Sequence, residues 1–236
     1  MLHLYKKYDE KFVLDNLMGP NSLKIVEEVS NHLDLQRGMK ILDLGCGKGL
    51  TSIFLAKEFG VTVFATDLWI SATENLKRIK HMGLENQVFP IHAEARSMPY
   101  ANDFFDAIVS FDSYHYFGTD ENYMNYYLAP LVKKGGQIAM AVPGLTEEFD
   151  NGIPENLKPY WVENENLTFH SQKWWRQLWE RTNVVDVIES FDLNCTDEAW
   201  EDWLKSSNPI AKGDIPLYRS DINHQIATIA VIAKKK

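Results

Sequence analysis

The chain has 236 residues, long for one ordinary domain and short for two, so a single core with insertions over residues 1–236 is expected. Its 45% hydrophobic and 24% charged residues are globular in balance. The net charge of −9, from 33 acidic against 24 basic side chains, argues against nucleic acid or an anionic membrane surface as partner, because both need clustered positive charge.

From Asp9 to Met18 the apolar residues Phe12, Val13, Leu17 and Met18 have helical spacing, and Gly19-Pro20 ends the run. Asn21 caps a second helix, Ser22 to Leu33, with one apolar stripe. From there short β-branched runs alternate with amphipathic segments, the pattern of a parallel sheet with crossover helices. Strands are predicted at Lys40–Leu44, Thr62–Thr66, Gln87–His92, Phe105–Phe111 and Gln137–Val142, with helices at Leu50–Phe59, Ser71–Met82 and Glu121–Val132. Pro90 places the third strand at a sheet edge. After an acidic loop follow a helix from Ser171 to Thr182 carrying Trp174, Trp175 and Trp179, a strand Val184–Phe191, and a helix Asp197–Leu204. A loop containing Pro209 and Pro216 leads to a last strand, Gln225–Ala233. The fold class read from this pattern is therefore α/β, a doubly wound, mostly parallel sheet of seven strands. Met1 to Glu10 is polar rather than signal-like and no apolar run approaches the roughly 20 residues of a bilayer span, so a cytoplasmic location is expected. Cys46 and Cys195 stand far apart without CxxC or His-rich company, which points to neither a disulfide nor a metal site.

The most informative stretch is Ile41-Leu42-Asp43-Leu44-Gly45-Cys46-Gly47-Lys48-Gly49, a buried strand ending in a glycine turn that opens into a helix. Backbone bare of Cβ at Gly45 and Gly47 lets a nucleoside ligand approach at the switch point of a doubly wound sheet. A dinucleotide site spaces its glycines G-x-G-x-x-G so that a diphosphate rests on the helix N-terminus. Here Gly49 arrives one residue early, and Asp43 suits a cationic ligand better than a diphosphate.

These residues resemble motif I of the class I S-adenosylmethionine-dependent methyltransferases, and further matches follow in order over roughly residues 20–143. The resemblance implies a sheet with helices on both faces and its last strand antiparallel, and S-adenosylmethionine as the cofactor, held by Asp43, Gly45, Cys46 and Gly47. Asp67, followed by Leu68, would grip the ribose hydroxyls, Glu94-Ala95 would meet the adenine, and Asp112 would line the methionyl end. Phe105-Asp106-Ala107-Ile108-Val109-Ser110 and Leu131-Val132-Lys133-Lys134-Gly135-Gly136 are similar to two more family stretches. The implied activity is methyl transfer to a small-molecule acceptor on oxygen, nitrogen or carbon, with neither the acceptor nor the oligomeric state given. Two alternatives stay open, an NAD-dependent oxidoreductase and a non-catalytic S-adenosylmethionine-binding protein.

For chemistry the best segment is Tyr114-His115-Tyr116, after the fourth strand, where His115 has the titration range of a general base. On an extended segment both tyrosines would share one face and His115 the other. In-line positioning of nucleophile and methyl can also suffice without a base. The tryptophans either wall the acceptor pocket or fill the core, and Tyr5 and Tyr8 belong to a flap or a frayed end. Residues 1–35 are expected to form a cap, and residues 145–170 and 194–223 to line the acceptor pocket.

Overall fold

A computed structural model describes residues 3–162 and 168–236; residues 1–2 of the expected cap and 163–167 of the first expected pocket segment lie outside them. Seven strands form one sheet in the order β3-β2-β1-β4-β5-β7-β6. They are β1 (Lys40–Leu44), β2 (Thr62–Asp67), β3 (Val88–His92), β4 (Phe105–Phe111), β5 (Val132–Leu145), β6 (Val185–Asp192) and β7 (Ile226–Lys235). The first five pair in parallel, as the sequence pattern predicts, and β7 runs antiparallel to both β5 and β6, as the family resemblance implies. Pro90 lies on β3, a sheet edge. Because β2 and β4 leave β1 on opposite sides, the carboxyl ends of β1 and β4 border the switch point where such sheets bind ligands.

Along β1 the side chains alternate between two cores. Ile41 joins one cluster, with Ile53, Phe54 and Val63, while Leu42 and Leu44 join the other, with Ile108, Trp175 and Trp179. The first core is covered by α1 (Glu10–Asn16), α2 (Ser22–Ser30), α3 (Leu50–Phe59), α4 (Ala72–His81) and α6 (Thr196–Lys205). The second is covered by α5 (Gln172–Arg181) and the turns that precede β5. Asp9, Asn21 and Ser71 cap their helices by accepting from backbone N–H groups of Phe12, Leu23 and Glu74. Trp175, Trp179 and Trp203 are at most 1% exposed, so these rings are core.

Four expectations need correction. The predicted helix Glu121–Val132 is instead a wide helical turn at Met124–Leu128 followed by a tight turn at Ala129–Leu131; Pro130 lacks the N–H an α-helix would use there. Strand β5 starts at Val132 and runs through Gly135-Gly136 to Leu145, with a register shift opposite Phe105 and Ala107. Pro143 fits it because β4 pairing ends at Ala141, so no partner awaits its missing N–H. The loop of Pro209 and Pro216 is a helix, α7 (Pro209–Ser220), in which Pro209 occupies the first turn and Asn208 accepts from the Ile210 N–H. Pro216 sits inside it against local propensity; the Trp203 Nε1–H donating to Asp214 at 2.7 Å and the Trp200–Tyr218 stack at 5.2 Å tie the helix down. Tyr5 and Tyr8 are neither flap nor frayed end. The Tyr5 N–H donates to Glu27, and Tyr8, 7% exposed, lies 5.9 Å from Phe54 and donates to Glu58.

No helix among the described residues is long and apolar enough to cross a membrane, and no group of three or more His, Cys, Asp or Glu among them is placed to hold a metal ion.

Candidate functional site

A crevice of about 300 Å³ opens at the carboxyl ends of β1, β2 and β4. Its floor is the turn after Leu44. Gly45 has φ +71° there, and a Cβ on it would lie 2.2 Å from Ser113 Oγ, so both backbone conformation and space demand glycine. Ser113 is held in turn by donating to the Leu44 carbonyl at 2.9 Å. The N–H groups of Gly45 and Cys46 both donate to the Thr66 carbonyl, at 2.8 and 3.1 Å, which fastens the turn to the end of β2.

Asp67 is the hinge of this arrangement. One carboxylate oxygen accepts from the Gly47 N–H at 2.8 Å, and the other accepts from Trp69 and Ile70 N–H, each at 2.8 Å. The side chain thereby joins the glycine turn to the segment entering α4, and it still borders the crevice beside Leu68. On the β3 side, Glu94 accepts from the Arg96 N–H at 2.7 Å, and the Ala95 carbonyl accepts from Tyr123 Oη–H at 3.1 Å; both residues line the crevice. Cys46 lines it as well, and burial first, then the charges of Asp43 and Asp67, hold its thiol protonated. It serves as a small packed residue.

Asp112 lines the crevice with φ +55°, a conformation non-glycine residues adopt at a cost. Burial, and secondly the Asp214 carboxylate, push its carboxyl up to about 8. Its Oδ2 lies 1.8 Å from where a Cβ on Gly19 would stand, so the Met18-Gly19-Pro20 turn covers this carboxylate. Gly19→Ala should displace Asp112 and weaken ligand binding more than tenfold while the melting temperature moves by only a few degrees. Calorimetric titration of wild type and variant checks this, and an unchanged affinity would count against it.

Not every predicted site residue reaches the crevice. Asp43 is fully buried beneath the turn, where Thr51 and Ser52 hydroxyls each donate to it at 2.6 Å. Burial pushes it up to about 6 against the pull of those two bonds, and it acts on the crevice only through its field. Tyr114-His115-Tyr116 is a tight helical turn rather than an extended segment, so the expected alternation of faces is absent. Tyr116 stands at the crevice, 58% exposed, while Tyr114 and His115, at 1% and 3%, point into the interior. Tyr114 packs edge-on against Trp175 and Trp179. His115 packs at a tilt against Tyr116, ring centroids 4.0 Å apart, its Nδ1 has no partner among the described residues, and burial lowers its pKa to about 3. Lys48 lines the crevice from within the glycine motif without a role assigned to it, and Trp69, Ser113 and the turn at Met18-Gly19-Pro20 are among the lining features outside the motifs. The sequence marks that last turn only as a helix stop.

Comparison with known proteins gives consistent results. A family described as "Methyltransferase domain" matches residues 41–136. Methyltransferase GfsG of Streptomyces halstedii is 32% identical over 138 residues, covering 57% of this chain and 49% of that protein; the chain thus spans about half the length of this relative. Among solved structures, phosphoethanolamine N-methyltransferase 2 of Haemonchus contortus in complex with S-adenosyl-L-methionine superposes with a TM-score of 0.73 at 17% identity, covering 96% of this chain and 56% of that one. Geranyl diphosphate C-methyltransferase from Streptomyces coelicolor A3(2), in complex with Mg2+, geranyl diphosphate and S-adenosyl-L-homocysteine, gives 0.70 at 21% identity, covering 92% and 79%. These two show likeness of fold.

Proposed function

We infer the activity from one premise: this chain belongs to the class I, Rossmann-like S-adenosylmethionine-dependent methyltransferases. It transfers a methyl group from S-adenosylmethionine to a small-molecule acceptor. One observation carries this reading: the Asp67 carboxylate closes the glycine turn from below while bordering the crevice above it. The donor set fits the cofactor. A carboxylate accepts from paired sugar hydroxyls, a floor without Cβ admits a nucleoside, and Asp67, Glu94 and Asp112 give the walls an acidic character that suits a cation.

S-adenosylmethionine bound here supplies a methyl group activated on a positively charged sulfur. The residues of this chain bind and orient it. Asp67 holds the sugar, Glu94 and Ala95 border the adenine, Gly45, Cys46 and Gly47 form the floor, and Asp112 faces the ammonium end under the cover of Gly19. Residues 3–35 act as the cap of a single domain, and positioning accounts for most of the acceleration. The acceptor enters above Asp112, beneath residues 145–162, 168–170 and 194–223, the last bringing Asp214 towards Asp112. Phosphoethanolamine and geranyl diphosphate, named for relatives of this fold, show how varied such acceptors are.

His115 takes the part of a support for Tyr116 in this scheme, since a buried neutral imidazole is a poor base. His115→Gln should retain turnover within about threefold. A drop beyond a hundredfold at unchanged cofactor affinity would restore His115 as the base. The activity itself is tested by melting curves with S-adenosylmethionine, S-adenosylhomocysteine and NADH, then by S-adenosylhomocysteine release across an acceptor panel. Stabilisation by the two adenosyl compounds and product release are expected. Stabilisation by NADH alone would overturn the reading, and tight binding without turnover would reduce it to a binding protein.

A further inference from the structure

Two sulfur-bearing side chains line the crevice among the described residues, Cys46 and Met18. Burial holds the Cys46 thiol protonated, and a cysteine reacts with peroxides as its thiolate. Cys195 stands outside the crevice, and burial raises its thiol in the same way. The Met18 thioether has no proton to lose, and the residue is partly exposed at the crevice. Its sulfur lies against the glycine turn, where a Cβ on Gly47 would stand 3.0 Å from Sδ. Both sides of this contact are fastened. The Gly47 N–H donates to Asp67 at 2.8 Å, and the Gly47 carbonyl accepts from Asn75 Nδ2 at 2.9 Å. On the other side Leu17 is buried with its carbonyl accepting from Asn208 Nδ2 at 3.2 Å, and Gly19 packs on the Asp112 carboxylate.

We propose that Met18 is a peroxide-oxidation site whose sulfoxide closes the crevice to the cofactor. This rests on the methyltransferase reading above. A lone pair of Sδ attacks one oxygen of a hydroperoxide; the S–O bond forms as the O–O bond breaks, and the other oxygen leaves with a proton as water or an alcohol. The sulfur is oxidised, and the peroxide reduced, by one electron pair. Sulfoxidation turns a flexible apolar side chain into a polar one. The fastened Gly47 backbone fills the space on one side of the sulfur, and the neighbours of Met18 in the chain are buried or tied down, so the added oxygen has the crevice as its open direction. There it occupies room beside Gly47 and Asp112 that the ligand needs. Turning the side chain away instead lifts Met18 off the floor turn and draws Gly19 from Asp112, which disturbs the same wall.

Hydrogen peroxide tests this on wild type, Met18→Leu and Met18→Gln. Peptide mass spectrometry reads sulfoxide at each methionine, calorimetric titration reads S-adenosylhomocysteine affinity, and melting curves serve as a folding control. In wild type, oxidation at Met18 is expected to weaken S-adenosylhomocysteine at least tenfold, about 1.4 kcal/mol, and methionine sulfoxide reductases should restore it. Met18→Leu given the same treatment should keep its affinity within twofold, and untreated Met18→Gln, polar at the same place, should reproduce most of the loss. Bound S-adenosylhomocysteine should slow oxidation at Met18 at least fivefold while Met39, Met82 and Met98, partly exposed outside the crevice, change by less than twofold. Unchanged affinity at full Met18 oxidation would overturn the proposal. So would an equal loss in treated Met18→Leu, which would place the damage at another residue, or equal rates at Met18 with and without ligand. Were Met18→Leu to fail to fold, Met18→Ile would replace it under the same criteria. Untreated wild type that does not bind S-adenosylhomocysteine would overturn the methyltransferase reading as well, which separates the two failures.

Discussion

Asp67→Ala is expected to weaken S-adenosylmethionine binding by about a hundredfold or more, the largest loss from any single substitution in the crevice. The carboxylate accepts three backbone N–H bonds, from Gly47, Trp69 and Ile70, all at 2.8 Å. Hydrogen bonds to a charged group contribute roughly 1.5–3 kcal/mol each. Removing them frees the floor turn, leaves donors without acceptors and deletes the group that faces the sugar, so ordering the turn again falls on the ligand. The melting temperature should drop by several degrees as well. Asp67→Asn separates the two effects, because its amide retains one oxygen able to accept from the backbone but loses the charge and half of the acceptor capacity. Its affinity should fall between those of wild type and Asp67→Ala. Calorimetric titration of the three proteins decides, and a loss below tenfold for the alanine variant would remove Asp67 from its assigned place.

Asp112→Asn should stabilise the ligand-free protein at pH 8–9 and weaken cofactor binding at the same time. Burial, with Asp214 adding to it, raises the Asp112 carboxyl to about 8 in the folded protein, against about 3.9 in an unfolded chain. The folded state therefore holds this proton more tightly than the unfolded state does. Its contribution to stability is fully present below about pH 4 and is lost as pH rises through about 8. Asparagine carries no proton to lose, so its stability profile should be flatter. At pH 5 the two proteins should melt alike apart from an offset, and at pH 8.5 the variant should gain on the order of 1–2 kcal/mol, a figure discounted for water in the crevice. A cationic ligand end reverses the balance by stabilising the ionised carboxylate of wild type, so S-adenosylmethionine should raise the melting temperature of wild type more than that of the variant. Asp43, raised to about 6 by burial, adds a similar but narrower slope that persists in both proteins. Parallel profiles for the two proteins from pH 4 to 9 would refute the assignment.

The β1 strand, the glycine turn and the edge position of β3 are all readable from the chain alone, because each depends on neighbours in sequence. A run of apolar residues marks a strand covered on both faces, a glycine pair marks backbone without Cβ, and a proline marks a missing donor. The acids at 67, 94 and 112 are picked out by resemblance to the family's motifs, and periodicity adds only that they fall at or near strand ends. Tertiary contacts decided the rest. Asp43 and Asp67 read alike as acids near the turn, yet Thr51 and Ser52 on α3 draw Asp43 beneath it, while Asp67 borders the crevice. Tyr114 and His115 turn inward because Trp175 and Trp179 of a distant helix take the tyrosine ring and a tight turn replaces the extended segment. Helix α7 forms despite Pro216 because Asp214 and Tyr218 find Trp203 and Trp200. Gly19 reads as a helix stop and is also the surface that covers Asp112. Local spacing determines which elements form and where their ends lie, whereas the direction a side chain faces at those ends depends on partners tens to hundreds of residues away.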